Sequence, residues 1–536
     1  MISQNTKPED ILANARDGIQ AEGGEKVDEE EWIGPYANRF QESKVPTHEF
    51  PSKSVRAGSA YQIIHDELEL DGTPKLNLAS FVHTWMPPEA EKLYIENMTK
   101  NLVDSDEYPS TTAIHSKCVS MIADLWNAPG QDAVGTATTG SSEAIQLGGL
   151  ACKKVWQQRM KEKGKDIHSP GPNVVMGANA QVALEKFARY WDVEARLVPV
   201  SEESHYRMDA KKAMEYVDEN TICVFVIMGS TYTGHYEPVK EMADELDAYE
   251  KKTGNYVPIH VDAASGGFIA PFATPELEWD FRIPRVVSIN ASGHKFGLSS
   301  VGVGWLVYRD KAHLPKELVF ELHYLGSVEY TFSLNFSRPA APIIAQYFNF
   351  LHLGHQGYKR VAEADARNAR LLARALEKSG MFKVISDVHR LAEGAKDDGK
   401  ITSYTPSLPV VAFRFSDEYK QQNPDVQQKW VQTLLRGKGW IVPNYELPPN
   451  LEKVEILRVV VRESTSEDLV ERLVCDLFEI VRSLASADSS EHALAILGSQ
   501  QQKQKPSSRR PTGMQADAQG KDDMQGSQTN TYARPC

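Results

Sequence analysis

From Asn77 to roughly Arg338, short β-branched runs alternate with helix-like segments, and no other feature restricts the possible folds of this chain as much. Examples are Asn173-Val174-Val175-Met176, Thr221-Ile222-Cys223-Val224-Phe225-Val226-Ile227 and Gly302-Val303-Gly304-Trp305-Leu306-Val307-Tyr308. Alternating βα units predict an α/β protein in which a mostly parallel sheet is covered by helices and ligands gather beyond the C-terminal ends of the strands. Two of the apolar runs end in residues capable of chemistry. One closes on His260-Val261-Asp262-Ala263-Ala264; the next, Val286-Val287-Ser288-Ile289, leads into Ser292-Gly293-His294-Lys295. Taken singly, Asp262 reads as a loop cap and Lys295 as a surface lysine.

As a pair they match the needs of pyridoxal phosphate (PLP). A lysine amine forms a Schiff base with the PLP aldehyde. A carboxylate keeps the pyridinium protonated, so that the ring can absorb the electron pair left when a bond at a substrate α-carbon breaks. A third element supports the pair. Thr136-Ala137-Thr138-Thr139-Gly140-Ser141-Ser142-Glu143-Ala144 passes from a loop of small residues into a helix-like segment. A glycine followed by two hydroxyls at a helix N-terminus makes an anion site from free N–H groups and the positive end of the helix dipole, which suits a cofactor phosphate. Ordinary helix capping by Ser141 or Ser142 is the competing explanation.

Six motifs, in order, resemble glutamate decarboxylase of the bacterial and plant type: Thr139-Gly140-Ser141-Ser142-Glu143-Ala144, Lys186-Phe187-Ala188-Arg189-Tyr190-Trp191, Thr231-Tyr232-Thr233-Gly234, His260 to Phe268, Ser292 to Gly297 and Asn335-Phe336-Ser337-Arg338-Pro339. The resemblance runs from about Tyr36 to about Ser483. It implies the fold-type I PLP architecture, with a seven-stranded, mostly parallel sheet in a large domain and a smaller C-terminal α/β domain. It also implies residue roles. Gln181 and Ala264 match the residues on the two faces of the cofactor ring, Thr231 and His294 match cofactor-contacting positions, and Ser337 matches a serine that reaches the phosphate from a neighbouring subunit. Ser80 and Phe81 lie in a stretch similar to the one that binds the distal carboxylate of glutamate. Asn101 and Asp104 match residues that complete this pocket across the subunit interface, and Arg458 matches an arginine that binds a substrate carboxylate.

The implied reaction is decarboxylation of L-glutamate to 4-aminobutyrate (GABA) and CO₂, with Lys295 as the catalytic residue, in a homo-oligomer that is a dimer or a hexamer built as a trimer of dimers. PLP decarboxylation of another amino acid (aspartate, cysteine sulfinate or an aromatic substrate) and a catalytically idle scaffold are the alternatives. The chain departs from the bacterial pattern at Ser80 (Thr there), at Glu185 (His there, Glu in plants) and at Ala183-Leu184 (Cys-Trp there). Gly326 to Phe332 matches a flexible β-hairpin over the site, a candidate lid.

Composition fits a large enzyme: 536 residues, 41% apolar and 25% charged, enough for two or three domains. A net charge of −14 argues against a nucleic-acid partner, and no apolar run nears the ~20 residues of a membrane span. No secretory signal is visible after Met1, so a cytoplasmic address is expected. Five scattered cysteines have no metal-ligand spacing and read as free thiols, and no metal is expected.

The expected organisation is an N-terminal segment (1–76, mobile to about Asp28), a PLP-binding domain (77–357), a small domain (358–485) entered by a helix from about Tyr358 to Glu377, and a disordered polar tail (486–536). That tail has Lys503, Lys505, Arg509 and Arg510 but no Trp, and Pro506 interrupts the cluster, which favours a solvated tail over a calmodulin-binding helix.

Overall fold

The computed structural model describes residues 48, 50–51, 54–130, 133–322 and 329–486. The expected mobility up to Asp28, the tail from residue 487 with its basic cluster, and residues 326–328 of the candidate lid lie outside the described residues. The chain divides into two compact units, Met1–Gly72 and Thr73–Cys536. In the first, the helix Ala57–Leu68 buries none of its residues, and Tyr61, Ile64 and Leu68 are exposed at helical spacing.

The second unit is built on a seven-stranded sheet. Its strands are β1 (Val134–Thr138), β2 (Asn173–Gly177), β3 (Glu194–Val198), β4 (Thr221–Ile227), β5 (Ile259–Asp262), β6 (Val286–Ser292) and β7 (Gly304–Tyr308), in the order β1-β7-β6-β5-β4-β2-β3. Only β7 runs antiparallel to its neighbours. Every residue of β4, β6 and β7 is buried, which is why these strands read as continuous runs rather than as alternation. The period of two survives in where the side chains go. Val175, Val224 and Val226 join one apolar cluster, while Val174, Met176, Phe225 and Ile227 join another on the opposite face.

The helix Ser141–Glu162 crosses this sheet closely because it carries Gly148 and Gly149. A Cβ at Gly148 would lie 2.5 Å from His260 Cε1, and one at Gly149 would lie 2.4 Å from Phe187 Cε2. Two short strands, β8 (Phe320–Leu322) and β9 (Glu329–Thr331), pair antiparallel at the expected hairpin.

A four-stranded sheet follows: β10 (Phe382–Val384), β11 (Val410–Phe415), β12 (Asn444–Glu446) and β13 (Glu455–Val460), in the order β10-β11-β13-β12. Sequence periodicity anticipates three of these strands and a partly antiparallel sheet. The structure adds β12, and every pairing is antiparallel. The helix expected from about Tyr358 is the second half of Ala341–Lys378, whose backbone leaves helical geometry at Gly354 (φ 54°). Gly380, at φ 70°, supplies the left-handed residue just past its end.

Candidate active site

The C-terminal ends of β1, β2, β4, β5 and β6 open onto one cavity of about 380 Å³. Its lining includes Ser141, Ser142, Gln181, Thr231, Asp262, Ala264, His294 and Lys295, with Ser80 and Phe81 on another part of the wall. The structure therefore brings together every proposed cofactor residue except Ser337.

Asp262 is the last residue of β5 and is 4% exposed. Its Oδ1 accepts from Asn290 Nδ2 (2.9 Å) and from the Ala264 amide (3.1 Å), so the carboxylate is held in one orientation. Lys295 follows the end of β6, with Nζ 3.5 Å from Ser265 Oγ and 5.3 Å from the centre of the Phe81 ring. His294 Nδ1 donates to the Val303 carbonyl (3.1 Å), which leaves Nε2 with its lone pair. Burial, with the Lys295 charge beside it, lowers this imidazole to about 4, so it is neutral near pH 7.

The helix Ser141–Glu162 begins after Gly140 with no side-chain cap, and Ser141 Oγ instead accepts from Ser292 Oγ (2.8 Å). Capping by Ser141 or Ser142 is thus not what these hydroxyls do; both residues line the cavity, at a helix end whose free N–H groups are suited to an anion. The glycine that lets the backbone come close at this turn is not Gly140, where a Cβ would have ordinary 3.7 Å contact with His294. It is Gly304 at the start of β7, where a Cβ would lie 2.4 Å from Gly140 C and 2.7 Å from Ser141 N. Gly304→Ala is expected to displace this turn, at a cost of about 1–3 kcal/mol in stability, and to weaken PLP binding. Thermal unfolding and a PLP titration check it, and unchanged PLP affinity would refute the cradle.

Gln181 Oε1 accepts from the Ala183 amide (2.6 Å) and so caps the helix Val182–Tyr190, which fixes the side chain at the cavity wall. An amine, a carboxylate, an anion-binding helix end and a small residue beside the carboxylate make a donor set that fits PLP.

Residues 51–392 match the pyridoxal-dependent decarboxylase conserved domain. The chain belongs to the pyridoxal-dependent decarboxylase family. This decarboxylase is 48% identical to a glutamate decarboxylase of Petunia hybrida over 87% of its own length and 89% of the relative's. It is 47% identical to one of Saccharomyces cerevisiae, with 81% and 78% of the two chains covered. A solved glutamate decarboxylase of Lactobacillus brevis superposes with a TM-score of 0.77 at 39% identity, covering 83% of this chain and 96% of that one. The decarboxylase is a PLP-dependent carboxy-lyase with the fold-type I architecture.

Four proposed site residues do not line the cavity of their own chain. Asn101 Nδ2 lies 3.3 Å from Ser337 Oγ, Asn101 Oδ1 accepts from the Arg338 amide (3.0 Å), and the Asp104 amide donates to the Asn101 carbonyl (3.3 Å). These three residues thus form one partly exposed patch. Arg458, fully buried on β13, lies behind the cavity wall. Its Nη1 donates to the Thr231 carbonyl (2.7 Å) and its Nη2 to the Ala79 carbonyl.

Several contributors escape sequence reasoning. Arg462 Nη1 donates to the Val82 carbonyl and Nη2 to that of Asn77 (2.7 Å), so two arginines pin the loop that carries Ser80 and Phe81. Nothing near either arginine in sequence signals this, because the partners lie on distant parts of the chain. Asn179, on the cavity wall, donates from Nδ2 to Glu237 Oε1 (3.1 Å). Glu237 also accepts from the Met208 (3.1 Å) and Ile227 (2.8 Å) amides. Burial raises this carboxyl, the three donors oppose it, and it settles at about 7 against an ordinary 4.5. A carboxyl raised in the native state contributes its full stability below the ordinary value and loses it as pH rises through about 7. Stability is therefore expected to fall by about 1 kcal/mol between pH 6 and pH 8 on this account. Urea unfolding at the two pH values should show a flatter dependence in Glu237→Gln; an identical slope would assign the titration elsewhere.

Proposed function

We infer that this protein decarboxylates L-glutamate to GABA and CO₂, with one proton consumed per turnover. The observation that carries the reading is the convergence of Lys295, Asp262 and the Ser141-Ser142 helix end on one cavity, in a chain that resembles named glutamate decarboxylases over most of its length.

Bound PLP supplies an aldehyde that reacts with amines and a protonated ring nitrogen that draws electrons from the substrate α-carbon. Ser141, Ser142 and the uncapped amides would hold its phosphate, and Asp262 its ring nitrogen. Gln181 and Ala264 would bracket the ring, while Thr231 and His294 complete its surroundings. Lys295 would hold the aldehyde carbon and yield it to the substrate's amine. Ser80 and Phe81, pinned by Arg458 and Arg462, would orient the distal carboxylate so that the α-carboxylate points out of the ring plane, where its bond can break. A substrate carboxylate that reached Arg458 would replace the Ala79 carbonyl as its partner. The walls around Lys295 limit water, so that the proton returns to the α-carbon.

Residues 77–357 would form the PLP-binding domain and 358–485 the small domain. The patch of Asn101, Asp104 and Ser337 would serve a neighbouring subunit's cavity, so the active unit is at least a homodimer. A cytoplasmic location accompanies this reading; among the described residues, no helix is long and apolar enough to cross a membrane.

The test is a panel of L-glutamate, L-aspartate, cysteine sulfinate and L-tyrosine offered to the PLP-loaded protein, with amine and CO₂ measured. GABA and CO₂ in equal amounts from glutamate alone are expected. Turnover of another member but not of glutamate would overturn the substrate, and a protein that binds no PLP would overturn the enzyme reading.

A further inference from the structure

Behind Asp262 lies a chain of buried hydrogen bonds that the reaction as described does not use. Asp262 and His260 point to the same face of β5, and Asn290 and Ser288 to the same face of β6. The two strands pair in parallel with Asp262 opposite Asn290 and His260 opposite Ser288. Asn290 Nδ2 donates to Asp262 Oδ1 (2.9 Å), Asn290 Oδ1 lies 2.7 Å from His260 Nε2, and His260 Nδ1 lies 2.7 Å from Ser288 Oγ. Ser288, Asn290 and His260 are fully buried.

The direction of every bond follows from the first. A carboxylate only accepts, so the Asn290 amide must turn its NH₂ to Asp262 and its oxygen to His260. His260 must then carry its proton on Nε2 and keep a lone pair on Nδ1, which the Ser288 hydroxyl fills. The ring is closely packed: a Cβ at Gly148 would lie 2.5 Å from its Cε1, and Phe225 packs against it at 5.2 Å between centres. Burial lowers the imidazole to about 4, which agrees with a neutral ring.

We propose that Asn290 and His260 are positioning residues that direct the Asp262 carboxylate at the cofactor ring nitrogen through a neutral, one-way relay. A neutral relay matters because a cationic histidine next to this carboxylate would compete with the pyridinium for its charge. The dipoles of the amide, ring and hydroxyl instead fix the carboxylate without neutralising it. The inference rests on the placement of Asp262 at the ring nitrogen proposed above.

The experiment titrates each cofactor-free protein with PLP and with its deaza analogue, in which C–H replaces the ring nitrogen, and follows tryptophan fluorescence. Wild type is expected to prefer PLP; equal affinity for both probes would sink the placement of Asp262 rather than the relay. Asn290→Leu is expected to lose at least about tenfold in PLP affinity, about 1.4 kcal/mol, and little for the deaza analogue. His260→Gln, which keeps an N–H donor for Asn290 Oδ1, should retain most of the preference, and His260→Leu should not. Equal loss for both probes, or none for either, would overturn the relay. Should Asn290→Leu fail to fold, the comparison of the two His260 variants decides by the same criterion.

Discussion

Lys295→Ala is expected to reduce decarboxylation by at least about 10³-fold, because the one other amine among the described residues lining the cavity, Lys186, sits on the helix Val182–Tyr190 and not at a strand end beside Asp262. The loss should lie almost wholly in kcat. The groups proposed to hold the phosphate and ring are untouched, so the variant should still bind PLP, though without the covalent attachment that resists dialysis. The measurement is GABA and CO₂ release by variant and wild type at saturating PLP, together with the cofactor retained after dialysis. Activity within tenfold of wild type would mean that another amine carries the aldehyde, and Lys186 would be tested next.

Asp262→Asn should cost about 10²–10³ in kcat with almost no change in fold. The substitution is isosteric, and the asparagine oxygen can still accept from Asn290 Nδ2 and the Ala264 amide, as the aspartate does now. What changes is the other atom. An NH₂ replaces an anionic oxygen, so the ring nitrogen meets a donor, loses its proton and draws electrons weakly. Steady-state kinetics with glutamate and a thermal unfolding scan separate these effects: a fall in kcat at an unshifted Tm is the expected pattern. Undiminished kcat would show that the carboxylate does not face the ring nitrogen, and a large fall in Tm would point to a structural role.

Much of the site was legible in the chain because its chemistry is written in short segments. Asp262 and Lys295 each follow an apolar run, and a run buried on both faces is visible without knowing its neighbours. Ser141-Ser142 lie where a loop of small residues turns helical, so the helix end was legible for the same local reason, while only the structure decided that no side chain caps it. Gly354 was missed because a break within a helical pattern does not change the spacing of apolar residues on either side, so the segment from Ala341 escaped assignment while that from Tyr358 did not. β12 was missed because three residues, two of intermediate burial and one exposed, carry too little pattern to be told from a loop.

The sequence by itself determined the alternation of strands and helices around the large sheet, the chemical inventory at the strand ends, and the amine and the carboxylate proposed to act there. These are properties of residue type and of periods of two and 3.6 within a dozen residues. Only the tertiary structure decided that Gly304, not Gly140, makes room for the turn into the Ser141 helix, that Arg458 and Arg462 hold the loop of Ser80 and Phe81 from behind, and that Asn290 stands beside Asp262. Each of these depends on the register between strands or on the close approach of segments distant in the chain. Such contacts are set when side chains from different elements fill one space at close-packed density, and no single segment encodes that arrangement.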